Sequence, residues 1–335
     1  MVLPSIESLK AQNIEFVRVV WCDNANVIRG KAIHLDALSE RIDIGVGLSA
    51  AQQAIPVMMD APVPDPYLGP VGEVWLQPDW KTLQTLPYAP GQARVFGDMV
   101  ANNQPWPWCS RQFLQRMVTA AAEQGLQFQA AFEPEFYLLR QENGQIVPGD
   151  QTVFATTLAM DLHYEIINAI AKSLTQQGLA IEQYYPESGP GQQEISVRHR
   201  EPLGAADQQI IYRETVKAIA RHHGLVASFV PKIFEDAAGS GCHLHLSLWD
   251  TKKNITHNGA GKLSDVASTF IAGLLAHLPA LMAITTPSTN SYHRLQPRCW
   301  SGAYQVWGYD NREAAIRVPT NPSTSQFHSS LASSR

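Results

Sequence analysis

Charged residues are scarce in this sequence. Asp, Glu, Lys and Arg make up 16% of the 335 residues, whereas about 25% is usual for a globular protein. Apolar residues make up 45%, which excludes disorder as the main state and requires a large interior or large interfaces. The formal net charge is −5. Because binding to nucleic acid needs clustered basic residues, this balance argues against a nucleic-acid partner.

Cysteine is also rare, and its spacing differs from that of disulfide-rich and zinc-binding proteins. The four cysteines lie far apart without a C-x-x-C pair: Cys22, Cys109, Cys242 and Cys299. This spacing fits neither a disulfide framework nor a zinc knuckle. The first residues lack the basic and then apolar blocks of a signal peptide. We therefore expect a cytoplasmic protein.

Only one long uncharged apolar stretch is of interest, residues 266–286. It is long enough to span a bilayer, but His277 and Pro279 lie in its middle. These residues favour a buried helix of about 265–284, capped by Ser264, and we expect no membrane partner.

The length exceeds one ordinary core of about 100–200 residues and predicts two domains. Ten of the 22 prolines fall between Pro56 and Pro107. Since proline cannot donate to a central sheet or continue a helix, we expect irregular or edge-strand chain there. We place an N-terminal, strand-rich domain at 1–103, with strands at 14–22 and 28–33, and a second domain at 104–335.

From Ser110 onward a helix that ends at a glycine and is followed by an apolar strand recurs. Ser110 is predicted to cap the first helix, and Gly125, Gly178 and Gly224 to end successive helices. Helices are expected near 160–177 and 205–223. The pattern predicts an α+β fold, with a sheet covered by helices on one face and open as a cleft on the other.

Two acidic pairs are candidate metal ligands. Glu133 and Glu135 lie two apart on a predicted strand, so both carboxylates project from one face. Glu187 and Glu194 flank SGPGQQ, whose glycines and proline permit a tight reversal. Carboxylates held this close repel each other, and Mg²⁺ or Mn²⁺ relieves the repulsion. The alternatives are a solvated strand edge and an ordinary surface loop.

A third motif combines glycines with histidines. GSG precedes a strand on which His243, His245 and Ser247 face the same way. Glycines let the backbone approach a ligand closely, and a neutral imidazole can bind Mn²⁺. The alternative is two satisfied polar residues on a sheet.

Three arginines follow: Arg294, Arg312 and Arg317. Guanidinium groups bind carboxylate and phosphate through forked hydrogen bonds, which suggests phosphate recognition. Ordinary salt bridges are the alternative.

In this order the motifs resemble the glutamine synthetase family. The matching segments are EPEFYLL, ESGPGQQE, GSGCHLHLSL, SYHRLQP and NREAAIRVP. The resemblance covers roughly residues 104–320 strongly and implies a small β-grasp-like N-terminal domain before a catalytic domain whose antiparallel sheet lines a cleft. It implies an ATP-dependent ligase that phosphorylates the γ-carboxylate of glutamate, or a similar acid, and forms an amide with ammonia or an organic amine. It also implies a homo-oligomeric ring.

The resemblance also implies residue roles. A first divalent metal, Mg²⁺ or Mn²⁺, is matched by Glu135, Glu187 and Glu194, and a second by Glu133 and His243. Substrate glutamate is matched by Gly239 and Arg294, and the transferred phosphate by Arg312 and Arg317. The nucleotide is matched by Glu182, His245 and Ser247.

The sequence departs from the family at two places. Trp300 stands about where the family has a flap glutamate that takes a proton from ammonium, and an indole cannot accept a proton. This favours an organic amine as nucleophile. The end of the chain reads TNPSTSQFHSSLASSR, with no acidic residue after Glu313. We therefore expect a catalytic domain truncated by a frameshift and short of one metal ligand.

Two other functions stay open at this point. One is a catalytically defective paralogue or fragment that binds nucleotide or assembles with relatives. The other is a metal-dependent hydrolase that uses the same acids and histidines without ATP.

Overall fold

The computed structural model describes residues 5–57, 68–258, 262–320 and 327–329. It confirms the mixed α+β class. The chain forms two compact units, Met1–Thr119 and Ala120–Arg335. The domain boundary at 103/104 stays a proposal, and most of the serine-rich segment after Thr320 lies outside the described residues.

The first unit is built on one sheet. Its strands are β1 (Phe16–Cys22), β2 (Ile28–His34), β3 (Val46–Ser49), β4 (Glu73–Thr85), β5 (Gln92–Ala101) and β6 (Gln104–Pro105). Its helices are α1 (Ile6–Ala11), α2 (Leu38–Arg41) and two short 3₁₀ turns, Leu35–Ala37 and Ala50–Gln53. The strand order is β2-β1-β5-β4-β3, with β6 beside β5, and only β1 and β5 run parallel.

The prediction for the proline-rich region is wrong in part. β4 and β5 occupy its second half, and β5 lies between two other strands. Proline enters these strands at Pro78, which pairs opposite Gly97 next to a register shift between Asp79 and Gln84. A bulge tolerates the missing N–H, so the region forms regular sheet in spite of its composition.

The second unit carries the long helices and a larger sheet. Its helices are α3 (Ser110–Glu123, which begins in the first unit), α4 (Thr157–Gln176), α5 (Pro202–His222), α6 (Asp265–Ala276), α7 (Leu278–Thr285) and α8 (Thr289–Arg294). Its strands are β7 (Gln127–Glu142), β8 (Gln145–Pro148), β9 (Ile181–Pro186), β10 (Gln192–Val197), β11 (Val226–Ser228), β12 (Cys242–Trp249), β13 (Tyr304–Tyr309), β14 (Ala314–Val318) and β15 (Phe327–Ser329). The order is β13-β14-β15-β12-β7-β10-β9, with β8 and β11 also paired to β7.

The predicted helix ends are confirmed at the glycines. Gly125, Gly178 and Gly224 have φ of +73°, +83° and +73° after α3, α4 and α5. This left-handed conformation is the one in which glycine ends helices without strain. Ser264 also caps α6 as predicted, since its hydroxyl accepts the Ala267 N–H at 3.1 Å. Ser110 does not cap α3, because it is itself the first helical residue.

The single helix predicted at 265–284 is two helices. His277 ends α6 and precedes α7, and Pro279 occupies the first turn of α7, where a proline N–H is not needed. Burial is one-sided, with Ala267 and Ile271 buried and Ile284 78% exposed. In the described part of the chain no single helix qualifies as a membrane span; α6 and α7 qualify only when taken together, at a mutual bend of 71°.

The core of the second unit sets the orientation of β7. The rings of Phe136, Tyr212 and Phe229 are almost fully buried and lie 5.6–6.2 Å apart. Aromatic pairs at these separations contribute beyond the area that they bury. Because side chains alternate along a strand, packing Phe136 against α5 turns Glu133 and Glu135 to the opposite face.

Two glycines offer a test of the helix ends. We predict that Gly178→Ala lowers the free energy of unfolding by about 1–2 kcal/mol, since alanine is strained at positive φ although nothing lies within 4 Å of the new methyl group. Gly273→Ala, inside α6 and equally open, should raise it by about 0.5–1 kcal/mol. Urea unfolding of both variants beside the parent chain measures the difference. Changes of the same sign would contradict this account.

Candidate active site

A cavity of about 1100 Å³ opens in the second unit. All five sequence motifs contribute to its wall: Glu135, Glu187, Gly239, His243, Arg294, Arg312 and Arg317. Segments as far apart in sequence as those of Glu135 and Arg317 therefore meet at one place.

The strand register brings the acidic side chains together. β7 lies between β10 and β12, with Glu135 directly opposite Glu194 and Glu133 directly opposite His243. Directly opposed residues have Cβ atoms about 4.5–5.5 Å apart. Glu187 joins them because its N–H donates to the Gln192 carbonyl at 2.8 Å, which closes the SGPGQQ reversal.

Two groups of candidate metal ligands result. Glu135, Glu187 and Glu194 offer carboxylate oxygens within 4.8 Å of one another, and Glu133, Glu194 and His243 do the same with one imidazole nitrogen. Oxygen-rich sets of this kind suit Mg²⁺ and Mn²⁺. The first group is the predicted one; in the second, Glu194 joins the predicted pair.

Crowding of carboxylates changes their proton affinity. Burial, followed by the nearby Glu133 and Glu135, raises the pKa of Glu194 to about 9. Burial also raises the pKa of Glu135 and of Glu187. For Glu133, burial acts in the same direction, but hydrogen bonds from His243 and His245 outweigh it and hold the pKa far below its usual range. A divalent cation would relieve this repulsion, so the donor set fits the predicted metals.

Gln192 is a functional residue that the sequence reasoning did not single out. Its side-chain amide donates to the Glu135 carboxylate at 2.9 Å and to the Gly239 carbonyl at 3.1 Å. Its side-chain oxygen accepts the Gly189 N–H at 2.9 Å. A buried amide thus fixes a candidate ligand, its loop and the glycine segment together. Its position between two acidic residues in the motif was the available signal.

Asp150 and His163 form a second unpredicted pair, which holds the loop between Glu187 and Glu194. His163 Nε2 lies 2.8 Å from the Asp150 carboxylate, and both side chains are buried. The other Asp150 oxygen accepts the N–H groups of Thr152 at 2.7 Å and Gly191 at 3.0 Å. Gly191 has φ +75°, and a Cβ there would meet the Leu138 carbonyl at 2.7 Å. Asp150 thereby connects helix α4, through His163, to the loop, through Gly191.

Tyr185 also reaches the acidic groups. Its hydroxyl donates to Glu194 at 2.7 Å, and its ring contacts Phe154 edge-on with centroids 6.2 Å apart. Burial and the nearby Glu194 raise its pKa well above the usual value, so it remains a neutral donor. Alternation along β9 could have identified it, since Gln183 and Tyr185 both line the cavity.

Arg294 lies against the glycine segment. It is 7% exposed, and burial lowers its pKa against the opposing effect of Glu135. A Cβ at Gly239 would come within 2.7 Å of its side chain, and one at Gly241 within 2.6 Å of its guanidinium. The glycines are therefore needed for the close approach of Arg294.

The other two arginines also line the cavity. Arg312 is exposed in a turn before β14, and Arg317 is half-buried on that strand. Burial and then Arg312 lower the pKa of Arg317. Two cations that repel each other in a cavity form a natural anion site.

The three residues predicted for the nucleotide lie outside the cavity wall as far as the described residues define it. Glu182 is exposed and accepts from Arg198 Nε at 2.9 Å, because alternation along β9 points it away from Gln183 and Tyr185. His245 contacts Glu133 at 2.7 Å, and Ser247 accepts from Trp249. Their nucleotide role stays a prediction.

The raised pKa of Glu194 predicts a pH dependence of stability. The folded protein keeps this proton up to pH about 9, whereas an unfolded glutamate ionises near pH 4.3, so without metal the free energy of unfolding should fall as pH rises through this window, by up to about 1.4 kcal/mol per unit. The lowered pKa of Glu133 changes the free energy of unfolding only below about pH 4.3, where an unfolded glutamate takes up a proton. Urea unfolding at pH 5–9 measures the slope.

Saturating Mn²⁺ should reduce the loss of stability, because it binds the ionised carboxylate. Glu194→Gln should reduce the slope of the metal-free protein and leave the part that the raised pKa values of Glu135 and Glu187 contribute. An unchanged slope in this variant would assign the effect to another group.

The hydrogen bonds of Asp150 to His163 and Gly191 should affect metal binding, although Asp150 is not itself a candidate metal ligand. We predict that Asp150→Asn weakens Mn²⁺ binding about tenfold, since loosening the loop misplaces Glu187 and Glu194. Thr215→Val is the matched control. It removes a buried hydrogen bond, 2.9 Å long, that the Gln177 side chain just after α4 donates to Thr215 on α5, and it does not touch the loop. Titration calorimetry with Mn²⁺ compares the two. Equal Mn²⁺ affinities of the two variants would refute this role of Asp150.

Two family models match the chain. The model for the "Glutamine synthetase, catalytic domain" matches residues 107–329, and that for the "Glutamine synthetase N-terminal domain" matches residues 1–108.

Similar proteins of known name agree with these models. Type-1 glutamine synthetase 1 of Dictyostelium discoideum is 37% identical over 95% of this chain and 68% of its own length. Gamma-glutamylpolyamine synthetase GlnA3 of Streptomyces coelicolor is 35% identical over 93% of this chain and 68% of its own. Among solved structures, the GmaS–ADP complex superimposes with a TM-score of 0.85 at 25% identity, covering 99% of this chain and 77% of that one. These relatives support an ATP-dependent ligase, and the chain belongs to the glutamine synthetase family.

Proposed function

We propose that the protein is an ATP-dependent ligase that activates the γ-carboxylate of glutamate, or of a similar acid, and joins it to an amine. The observation that carries this proposal is that Glu135, Glu187 and His243 line one cavity together with three arginines, and that Glu133 and Glu194 complete two three-ligand groups with them. Phosphoryl transfer asks a protein chiefly for positioning and charge neutralisation, and this cavity supplies both.

The residues that line the cavity have different roles. Arg294 holds the α-carboxylate of the acid beside Gly239, where the glycine leaves room for close approach. Arg312 and Arg317 bind the transferred phosphoryl group and neutralise its charge. Mg²⁺ or Mn²⁺, held by Glu135, Glu187 and Glu194 and by Glu133, Glu194 and His243, would supply Lewis-acid charge neutralisation of the phosphates and carboxylate.

We infer that the acceptor is an organic amine rather than ammonia. Trp300, Phe154 and Tyr185 give the cavity neutral aromatic wall, which suits the hydrocarbon part of an organic amine. Glu235 and Asp236 also line the cavity and favour a cationic substrate. The name of the Streptomyces relative, a gamma-glutamylpolyamine synthetase, supports this choice.

Assembly and cellular role follow from the family. We propose a homo-oligomeric ring in the cytoplasm that acts in nitrogen metabolism, as the glutamine synthetase relatives suggest.

A binding protein without turnover is the second candidate. It is favoured by one observation, namely that both ligand groups share Glu194. Among the described residues, Glu133 and His243 are therefore the only ligands of the second group that do not also belong to the first.

A direct assay decides between these candidates. We expect the protein, with ATP, Mn²⁺ and glutamate, to release phosphate and form amide faster with an organic monoamine or diamine than with ammonium. Arg312→Lys, at an exposed position that folding tolerates, should lower kcat about 100-fold and leave the Mn²⁺ affinity unchanged. Calorimetry shows nucleotide binding, and mass spectrometry identifies the amide.

Equal rates with ammonium and every amine would refute the acceptor class. Nucleotide binding without turnover would establish the second candidate. Hydrolysis that needs no ATP would indicate a metal-dependent hydrolase.

A further inference from the structure

A short loop borders the cavity on the side of Trp300. It runs over residues 296–302, between α8 and β13, and Gln296, Cys299 and Trp300 line the cavity. Trp300 is 69% exposed. An indole so exposed is not held by packing alone, so the backbone of the loop must fix its place.

The backbone of this loop is strained. Arg298 and Trp300 have φ of +65° and +54°, a region that is unfavourable for non-glycine residues and persists only where the surroundings impose it. At its base the hydroxyl of the buried Ser301 donates to the Gln296 carbonyl at 2.8 Å.

One carboxylate holds the two strained residues. Glu313 accepts the Arg298 N–H at 2.9 Å with one oxygen and the Trp300 N–H at 2.8 Å with the other. Hydrogen bonds to an ionised acceptor are about twice as strong as neutral ones. A glutamate with two acceptor oxygens thus compensates two unfavourable backbone conformations at once.

Glu313 also belongs to the turn that carries Arg312. Its own N–H donates to the Asn311 side chain at 3.0 Å, and the Ala314 N–H to the Asn311 carbonyl at 3.3 Å. The turn presents Arg312 to the cavity and Glu313 to the loop. A movement of Arg312 would therefore also move the loop, because Glu313 connects the two.

We propose that Glu313 is a positioning residue that holds the loop over the cavity, so that the activated acid reacts with the amine rather than with water. This rests on the proposed ligase function. In the productive step the amine nitrogen bonds to the acyl carbon, the bond to the phosphate oxygen breaks with its electron pair leaving on phosphate, and the amine proton passes to solvent. If water attacks instead, the same phosphate leaves and the free acid returns.

We call the two hydrogen bonds from the Arg298 and Trp300 N–H groups to Glu313 the clamp. Hydrogen exchange tests the clamp independently of activity. Glu313→Gln keeps the size of the side chain and loses one acceptor oxygen, so exchange at the amides of Arg298 and Trp300 should rise about tenfold. Asp250→Asn is the matched control. Asp250 likewise accepts two backbone N–H groups, from Lys252 at 2.7 Å and Lys253 at 2.8 Å, in an exposed turn outside the cavity wall. It should leave exchange in the 296–302 loop unchanged.

Product partition tests the role of the loop. Phosphate released per amide formed should rise at least threefold in Glu313→Gln and in Trp300→Ala, with Trp300→Phe close to the parent and Asp250→Asn equal to it. The KM for the amine should rise, while the Mn²⁺ affinity and the KM for ATP stay unchanged. Trp300→Ala leaves the clamp in place, so it provides the test if Glu313→Gln does not fold.

Each outcome is decisive. Unchanged exchange in Glu313→Gln would overturn the clamp. Faster exchange with an unchanged phosphate-to-amide ratio would overturn its role in excluding water. If the parent protein forms no amide with any amine, the proposed function and the partition role fall together, while the exchange experiment still decides the clamp.

Discussion

Strand β7 carries Glu133 and Glu135 into the middle of a sheet, and its two neighbours place His243 and Glu194 directly opposite them. With Glu187 this gathers four carboxylates. Burial and the nearby Glu133 and Glu135 raise the pKa of Glu194 to about 9, whereas hydrogen bonds from His243 and His245 hold the pKa of Glu133 far below its usual range. Without a cation this arrangement opposes folding, and with one it becomes a binding site. The rest of the second unit holds these groups together against their repulsion.

The means of doing so are mostly buried side-chain hydrogen bonds. Gln192 ties Glu135 to the glycine segment, and Asp150 with His163 ties the acidic loop to α4. Behind β7 the rings of Phe136 and Tyr212 fix the strand from the apolar side. A site that is unfavourable in itself is thus carried by a rigid, well-packed frame, which agrees with the way functional sites are held in other folds.

The cavity wall combines three kinds of side chain. Glu135 and Glu187 are acidic, Arg312 and Arg317 are cationic, and Trp300 with Phe154 and Tyr185 supplies neutral aromatic wall. The proposed ligase needs all three, because two anionic reactants must meet while the activated acid is kept from water. The loop that bears Trp300 is the least conventional part, since its strained backbone depends on a carboxylate from the arginine-bearing turn.

The sequence by itself determined the α+β class, the helix ends at Gly125, Gly178 and Gly224, the five motifs and hence the family, because these depend on local periodicity and on residue types with few alternatives. It failed where distant contacts overrule local preference. Proline content suggested irregular chain where sheet pairing makes β4 and β5 regular, and apolar content suggested one helix where Pro279 starts a second. Only the tertiary structure decided that Glu194 lies within reach of both ligand groups, that Gln192, Asp150 and Tyr185 support them, and that Glu313 holds the Trp300 loop. These facts depend on register and on hydrogen bonds between residues far apart in sequence, which no local pattern encodes.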